Sequence, residues 1–260
     1  MKEELRISII QADILWENID GNLSKFEQRL AMMQNPGDVI VLPEMFTTGF
    51  STNAKNLAEN TRGRTMETVM RWAEQYEALV CGSFIACDEG KYYNRGFMAR
   101  PDGHVAYYDK KHLFIGGEKE IFTPGSGQCL INYEGWNIAF CICYDLRFPV
   151  WNRYTSDFDY DLFICVAEWP TNRQENFETL LKARAIENQS YVCACNRVGS
   201  DENYLHYSGG SQIIDFKGNV LCRCRDNRDE IMNYAIKKYP LESNREKFPV
   251  GDDADKFVIC

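Results

Sequence analysis

The chain of 260 residues carries 45% apolar and 26% charged side chains, ordinary globular proportions that exclude a disordered, collagenous or coiled-coil protein. Its 29 Lys and Arg against 38 Asp and Glu leave a net charge of −9, which repels phosphate backbones and acidic lipid and sets nucleic-acid and membrane-surface roles aside. No apolar run approaches the roughly 20 residues of a membrane span, and the mixed-charge start Met1-Lys2-Glu3-Glu4-Leu5 lacks the apolar core of a signal peptide, so the chain is expected to be cytoplasmic.

Leu5–Ile10 and Asp38–Leu42 read as buried strands, with a helix from about Asn22 to Gln34 between them, ended by Pro36-Gly37. A second helix, Thr65–Ala78, spaces Met66, Val69, Met70, Ala73 and Tyr76 three and four apart, and Leu79–Ala86 follows as a strand, completing βαβαβ. Antiparallel pairing enters next, because Tyr93–Arg100 and Val105–Asp109 flank the turn residues Pro101-Asp102-Gly103-His104. Trp136–Ile142, Leu162–Ala167 and Tyr191–Asn196 are further strands. Between the last two lies a helix, Gln174–Asn188, with Phe177, Leu180, Leu181 and Ile186 inward. Ser211–Asp215, Val220–Cys224 and Ile231–Ile236 complete the strands. With strands outnumbering helices by about two to one, a layered α/β sandwich with mixed sheets fits best. No repeat or long linker divides the chain, so one domain is expected over 1–238, with a polar tail over 239–260 that lies on a surface or a neighbouring subunit.

The eleven cysteines sit inside apolar runs and are odd in number, which points to free, reduced thiols. Cys141/Cys143, Cys193/Cys195 and Cys222/Cys224 are C-x-C pairs, both thiols of each on one strand face, and C-x-x-C is missing. His104, His112 and His206 have no metal-ligand spacing, so no metal site is expected. The signatures of serine hydrolases, P-loop enzymes, zincins and classical dehydrogenases are likewise missing.

What stands out is polar residues at the ends of buried strands, where a charge is costly without a partner or a task. Val39–Leu42 runs into Pro43-Glu44-Met45-Phe46, Tyr107-Tyr108-Asp109 into Lys110-Lys111-His112-Leu113-Phe114, and Ile138–Ile142 into Cys143-Tyr144-Asp145-Leu146-Arg147-Phe148-Pro149. Taken singly, a glutamate after a strand is usually half of an ion pair, paired lysines are usually solvated, and a cysteine in an apolar run is usually a small core residue. Together a thiol, a carboxylate and an ammonium are the parts of cysteine-based acyl transfer. A thiol of pKa about 8.5 is only a few per cent ionised at neutral pH and needs a base or a positive field. Glu44 can supply the first and Lys110 the second. The turn after Cys143 would aim backbone N–H groups at the sulfur and at a developing oxyanion.

These three motifs, in this chain order, resemble the nitrilase superfamily of carbon–nitrogen hydrolases. The resemblance runs from Ile7 to about Ile236, through Trp169-Pro170, Ala183–Asn188 and Ser211–Asp215. It implies a four-layer α-β-β-α sandwich and a homodimer or higher homo-oligomer. It implies Cys143 as nucleophile, Glu44 as general base and Lys110, two before the histidine of K-x-H-L-F, as the group that stabilises the tetrahedral intermediate. Glu118, six residues before Pro124-Gly125, takes the place of a second glutamate in preference to Glu120, and the Tyr144 N–H that of the oxyanion donor. A small-molecule amide is the implied partner, amides are favoured over nitriles, and no cofactor is required.

Cys143–Arg153 followed by Trp169-Pro170-Thr171-Asn172-Arg173 resembles the ω-amidase branch, which acts on 2-oxoglutaramate and 2-oxosuccinamate. Arg173 then either pairs with a substrate carboxylate or caps a surface helix. Glu168 stands where the family usually has Asn, and a carboxylate beside Trp169 in the pocket would repel an anionic substrate. Two alternatives stay open. One is another amidase or carbamoyl hydrolase of the superfamily, favoured if Glu168 selects a neutral or cationic substrate. The other is a non-catalytic binding or thiol-redox protein, against which the intact Glu44, Lys110 and Cys143 and the missing C-x-x-C both argue.

Overall fold

The unbroken apolar runs become the inner strands of two six-stranded sheets in the computed structural model, which describes residues 2–259. The first half of the chain gives β1 (Glu4–Gln11), α1 (Ile19–Ala31), β2 (Val39–Val41), α2 (Ala54–Leu57), α3 (Arg64–Gln75), β3 (Leu79–Asp88), β4 (Lys91–Ala99) and β5 (Val105–Asp109). β1, β2 and β3 pair in parallel, as helical crossovers require, and β4 and β5 add antiparallel hairpins. The predicted turn at Pro101–His104 joins the last two, with Gly103 at φ +85. The second half gives α4 (Glu118–Ile121), β6 (Cys129–Tyr133), β7 (Trp136–Ile142), β8 (Leu162–Ala167), α5 (Gln174–Glu187), β9 (Tyr191–Asn196), β10 (Val198–Ser200) and β11 (His206–Ser208). It ends with β12 (Gln212–Ile214), β13 (Val220–Arg223), β14 (Glu230–Lys237) and α6 (Lys238–Lys247).

The sheet orders are β14-β1-β2-β3-β4-β5 and β13-β12-β9-β8-β7-β6. The last strand thus returns to pair with the first, antiparallel over the whole of β1. The sheets face each other, β1 over β9, β4 over β7 and β5 over β6. Ile7, Ile9, Val41, Phe140, Ile142 and Val166 lie in the large core cluster there. Gly96 on β4 is what lets them approach, because a Cβ at that position would collide with the Phe140 ring. α1 and α3 cover the outer face of the first sheet through Phe26, Leu30, Val69 and Trp72, and truncating a buried tryptophan such as Trp72 costs about 3–5 kcal/mol. α5 covers β9 and β12 of the second. The result is the expected four-layer α-β-β-α sandwich with mixed sheets.

One detail differs from the sequence reading. Ile186 is 53% exposed rather than inward. It sits in the last turn of α5 over the tight turn at Gly218, where a Cβ would meet its side chain. The polar stretch from 239 opens as α6, seated on the chain's own core by Leu241, which is fully buried. Arg245 donates from it to the carbonyls of Gln189 and Tyr160 at 2.9 and 2.6 Å. Cys260, the last residue of that stretch, lies outside the described residues.

Candidate active site

The strand ends singled out above meet at one edge of the sandwich. Glu44 follows β2 and its side chain is fully buried. Its Oε1 accepts from Lys110 Nζ at 2.8 Å and from Asn94 Nδ2 at 2.8 Å, and its Oε2 accepts from the Glu168 N–H at 2.9 Å. Lys110 follows β5, equally buried, and donates also to Glu118 Oε2 at 2.7 Å. Glu118 opens α4 behind Gly117, which takes φ +107. It accepts in addition from the Phe114 N–H at 2.7 Å and from Asn94 Nδ2 at 3.0 Å. Lys111 stays outside this cluster, its ammonium over the Trp151 ring, and Glu120 is exposed.

Two carboxylates therefore share one ammonium in a dry site. Burial opposes the charge on Lys110, but Glu118 and Glu44 outweigh it and hold the ammonium well above its ordinary range. Burial raises the Glu118 carboxyl, as does the neighbouring Glu44, while Lys110 and Asn94 work against the rise.

Cys143 sits where β7 turns into a 3-10 segment over Cys143–Arg147, at φ +46. That is the left-handed region, which a non-glycine residue occupies at a cost of about 1–3 kcal/mol unless its surroundings hold it there. Asp145 holds it. One carboxylate oxygen accepts from the Ile142 N–H at 3.2 Å and the Tyr108 hydroxyl at 2.7 Å. The other accepts from the His112 N–H at 2.8 Å and lies 2.8 Å from His112 Nδ1. The His112 ring stacks on Phe148 at 3.7 Å. A single buried aspartate thus ties the lysine loop to the cysteine turn. The Cys143 thiol points at the Glu168 carbonyl at 3.9 Å. Burial and the adjoining Glu44 charge push it well above the ordinary thiol range, with Lys110 opposing. Both favour the neutral thiol over the thiolate.

A pocket opens over this thiol, lined by Phe50, Phe114, Tyr144, Arg147, Glu168, Trp169, Arg173 and Tyr207 among others. Trp169 is buried and its indole N–H donates to the Arg173 carbonyl at 2.8 Å. Arg173 is exposed, with its guanidinium over the Phe114 ring, and Arg147 lies over Trp169. Two guanidiniums therefore border the pocket, where the sequence offered one. Tyr144 is half-buried, next to the thiol at the start of the turn, where N–H groups have no helical partner. Glu168 lines the pocket as expected, but its charge is not bare: Oε2 accepts from Arg197 Nη1 at 3.0 Å, both side chains being fully buried.

Asn94, Asp145, Arg147 and Arg197 were not singled out from sequence. Asn94 and Arg197 lie on or just beyond strands whose alternation reads as packing alone, and only the pairing of distant strands turns them toward the site. Asp145 and Arg147 were visible inside the cysteine motif but carried no signal of their own. Among the described residues the ten cysteines are all free, and burial pushes Cys81, Cys193 and Cys195, among others, well above the range in which thiols react.

The carbon-nitrogen hydrolase family model matches residues 6–243. An omega-amidase, YafV, of Yersinia enterocolitica is 40% identical over 258 residues, covering 98% of this chain and 98% of its own. A 2-oxoglutaramate amidase of Bacillus subtilis is 33% identical over 255 residues, covering 96% and 97%. Among solved structures, a CN-hydrolase superfamily protein of Xanthomonas campestris, crystallised with an arsenic adduct in its active site, superposes with a TM-score of 0.97 at 38% identity, each chain covered in full.

Proposed function

The chain belongs to the carbon-nitrogen hydrolase family of the nitrilase superfamily and is a hydrolase of non-peptide carbon–nitrogen bonds; from that premise we propose that it is an ω-amidase that converts a small carboxylated amide, 2-oxoglutaramate or 2-oxosuccinamate, to the acid and ammonia through a thioester on Cys143. The observation that carries this reading is the strained Cys143 turn facing a buried Glu44–Lys110–Glu118 cluster.

Glu44 takes the thiol proton as Sγ attacks the amide carbon. The oxyanion that forms is met by the Lys110 ammonium and the Tyr144 N–H, donors already fixed in a water-poor site. Losing one such donor costs about 2.7–4 kcal/mol of transition-state stabilisation. The tetrahedral intermediate collapses when Glu44 returns its proton to the nitrogen, which leaves as ammonia. Water, deprotonated by Glu44, then attacks the thioester, and the acid departs with the thiol restored. Glu118 and Asn94 hold Lys110 and Glu44 in register throughout.

The substrate's carboxylate needs a cationic seat at the far end of the pocket, and Arg147 and Arg173 provide it. The test is ammonia release from 2-oxoglutaramate, with glutamine and a carbamoyl amine run alongside, for the wild type and Cys143→Ala. The expected result is release from the keto amide that disappears in the variant. Cys143-dependent release from another amide alone would discard the substrate and keep the mechanism. No Cys143-dependent release at all would discard both.

A further inference from the structure

Glu168 lines the pocket beside the Cys143 thiol, and its surroundings are unusual in charge. From the end of β2, Glu44 approaches it, bonded to its backbone N–H at 2.9 Å. From the end of β9, Arg197 holds Oε2 at 3.0 Å, but the same guanidinium also donates to Asp13 Oδ1 at 3.1 Å. Around one guanidinium there are thus two carboxylates, with Glu44 a third negative group close by. The other oxygen, Oε1, is buried and makes no well-formed hydrogen bond, the Phe50 N–H giving the carboxylate only slight support. A buried carboxylate with one oxygen so weakly supported is a costly species, and protonation removes most of that cost. The remaining charges stand further off. Asp201 is taken up by the Tyr207 hydroxyl at 3.0 Å, Lys110 is engaged by its two glutamates, and Arg147 and Arg173 border the pocket from the cysteine turn and the turn before α5.

We propose that Glu168 is a proton-operated specificity residue, whose neutral acid form admits an anionic amide to the pocket and whose carboxylate form opposes it. The inference rests on the proposed function, since it concerns the anionic substrate named there. In a dry pocket wall a full negative charge acts on a bound carboxylate with little screening. The neutral acid leaves Arg147 and Arg173 unopposed. Burial and the Glu44 charge raise the Glu168 carboxyl to about 7, against the pull of Arg197, so the two forms exchange within the range in which enzymes are assayed. Glu168 does not move the proton of the reaction and acts on binding.

The experiment follows KM for 2-oxoglutaramate and the inhibition constant of its product, 2-oxoglutarate, from pH 6 to 8.5 in the wild type, Glu168→Gln and Asp13→Asn. In the wild type both constants rise about thirtyfold, because binding confined to the acid form weakens about tenfold with each pH unit above the midpoint. In Glu168→Gln, a neutral isostere, both stay within about twofold, while the pH profile of kcat keeps its shape. In Asp13→Asn, Glu168 becomes the one carboxylate bonded to Arg197, and the midpoint of the rise moves to lower pH. That half-exposed position tests the idea even where the Gln variant folds poorly. Equal slopes in the wild type and Glu168→Gln, or an unmoved midpoint in Asp13→Asn, would overturn the inference and leave the ω-amidase reading standing. No Cys143-dependent hydrolysis of 2-oxoglutaramate at any pH would overturn both.

Discussion

Two buried clusters of charge sit at opposite ends of β8, and they are built to opposite rules. Before the strand, Asp161 takes Lys238 and the Asn137 N–H on one oxygen and Arg245 on the other, at 3.3 Å, so a single carboxylate faces two cations and both its oxygens are satisfied. That cluster seats α6 on the sandwich. Beyond the strand, Glu44 and Glu118 divide one ammonium, Asn94 Oδ1 is buried without a partner, Glu168 Oε1 makes no well-formed hydrogen bond, and the cysteine is held in a left-handed conformation. A satisfied cluster stabilises the fold, whereas an excess of one charge with unpaired atoms is tolerated where chemistry uses it.

The contrast can be broken by substitution at either end. Cys143→Ala should lower kcat by at least about 10⁴-fold while the melting temperature holds, measured by ammonia release and calorimetry on one preparation. Glu44→Gln should lower kcat by about 10²–10⁴-fold. It should also leave the thermal midpoint unchanged or higher, since it removes one of two carboxylates competing for Lys110; a clear loss of stability would show that the site cluster serves the fold after all. Asp161→Asn should do the reverse, costing about 3–5 kcal/mol in urea unfolding by stranding two cations with kcat of the folded enzyme unaltered.

The pH dependence of stability sharpens the same comparison more gently. The Glu168 carboxyl is raised in the folded chain to about 7, so between the ordinary glutamate value of about 4.3 and that midpoint the folded state binds more protons than the unfolded one. Stability attributable to this group is therefore greatest at low pH and is lost as pH rises through 7, by about 4 kcal/mol at most. Glu168→Gln should flatten that part of the urea-midpoint curve between pH 5 and 7, and an unchanged slope would show that the carboxyl is ionised throughout.

Much of this was legible in the chain itself. The three strand ends carrying Glu44, Lys110 and Cys143 are visible because each breaks an apolar run at the point where a buried strand must stop, and Trp136–Ile142, Leu162–Ala167 and Tyr191–Asn196 appear with the predicted bounds. Glu118 was legible only through the family resemblance, which implies a glutamate six residues before Pro124-Gly125. What was hidden depends on partners distant in sequence. Asn94 becomes the link between two glutamates only because β4 lies beside β3 and β5. Arg197 matters because β9 carries it within reach of Asp13, after β1. β10 and β11, of three residues each, are too short to show alternation. α6 shows little amphipathic pattern, with Leu241 its one fully buried apolar side chain, and it is placed by the ion pairs at Asp161 instead.

The central claim is that the acyl group passes through the Cys143 sulfur, and hydroxylamine trapping tests it most directly. A thioester formed from 2-oxoglutaramate is open to attack by hydroxylamine as well as water. The wild type should therefore yield the hydroxamate in a proportion that grows with hydroxylamine while ammonia release continues, and Cys143→Ala should yield neither. Ammonia release by the wild type with free acid as the sole product at every hydroxylamine concentration would mean that water attacks the amide directly, and would contradict the account.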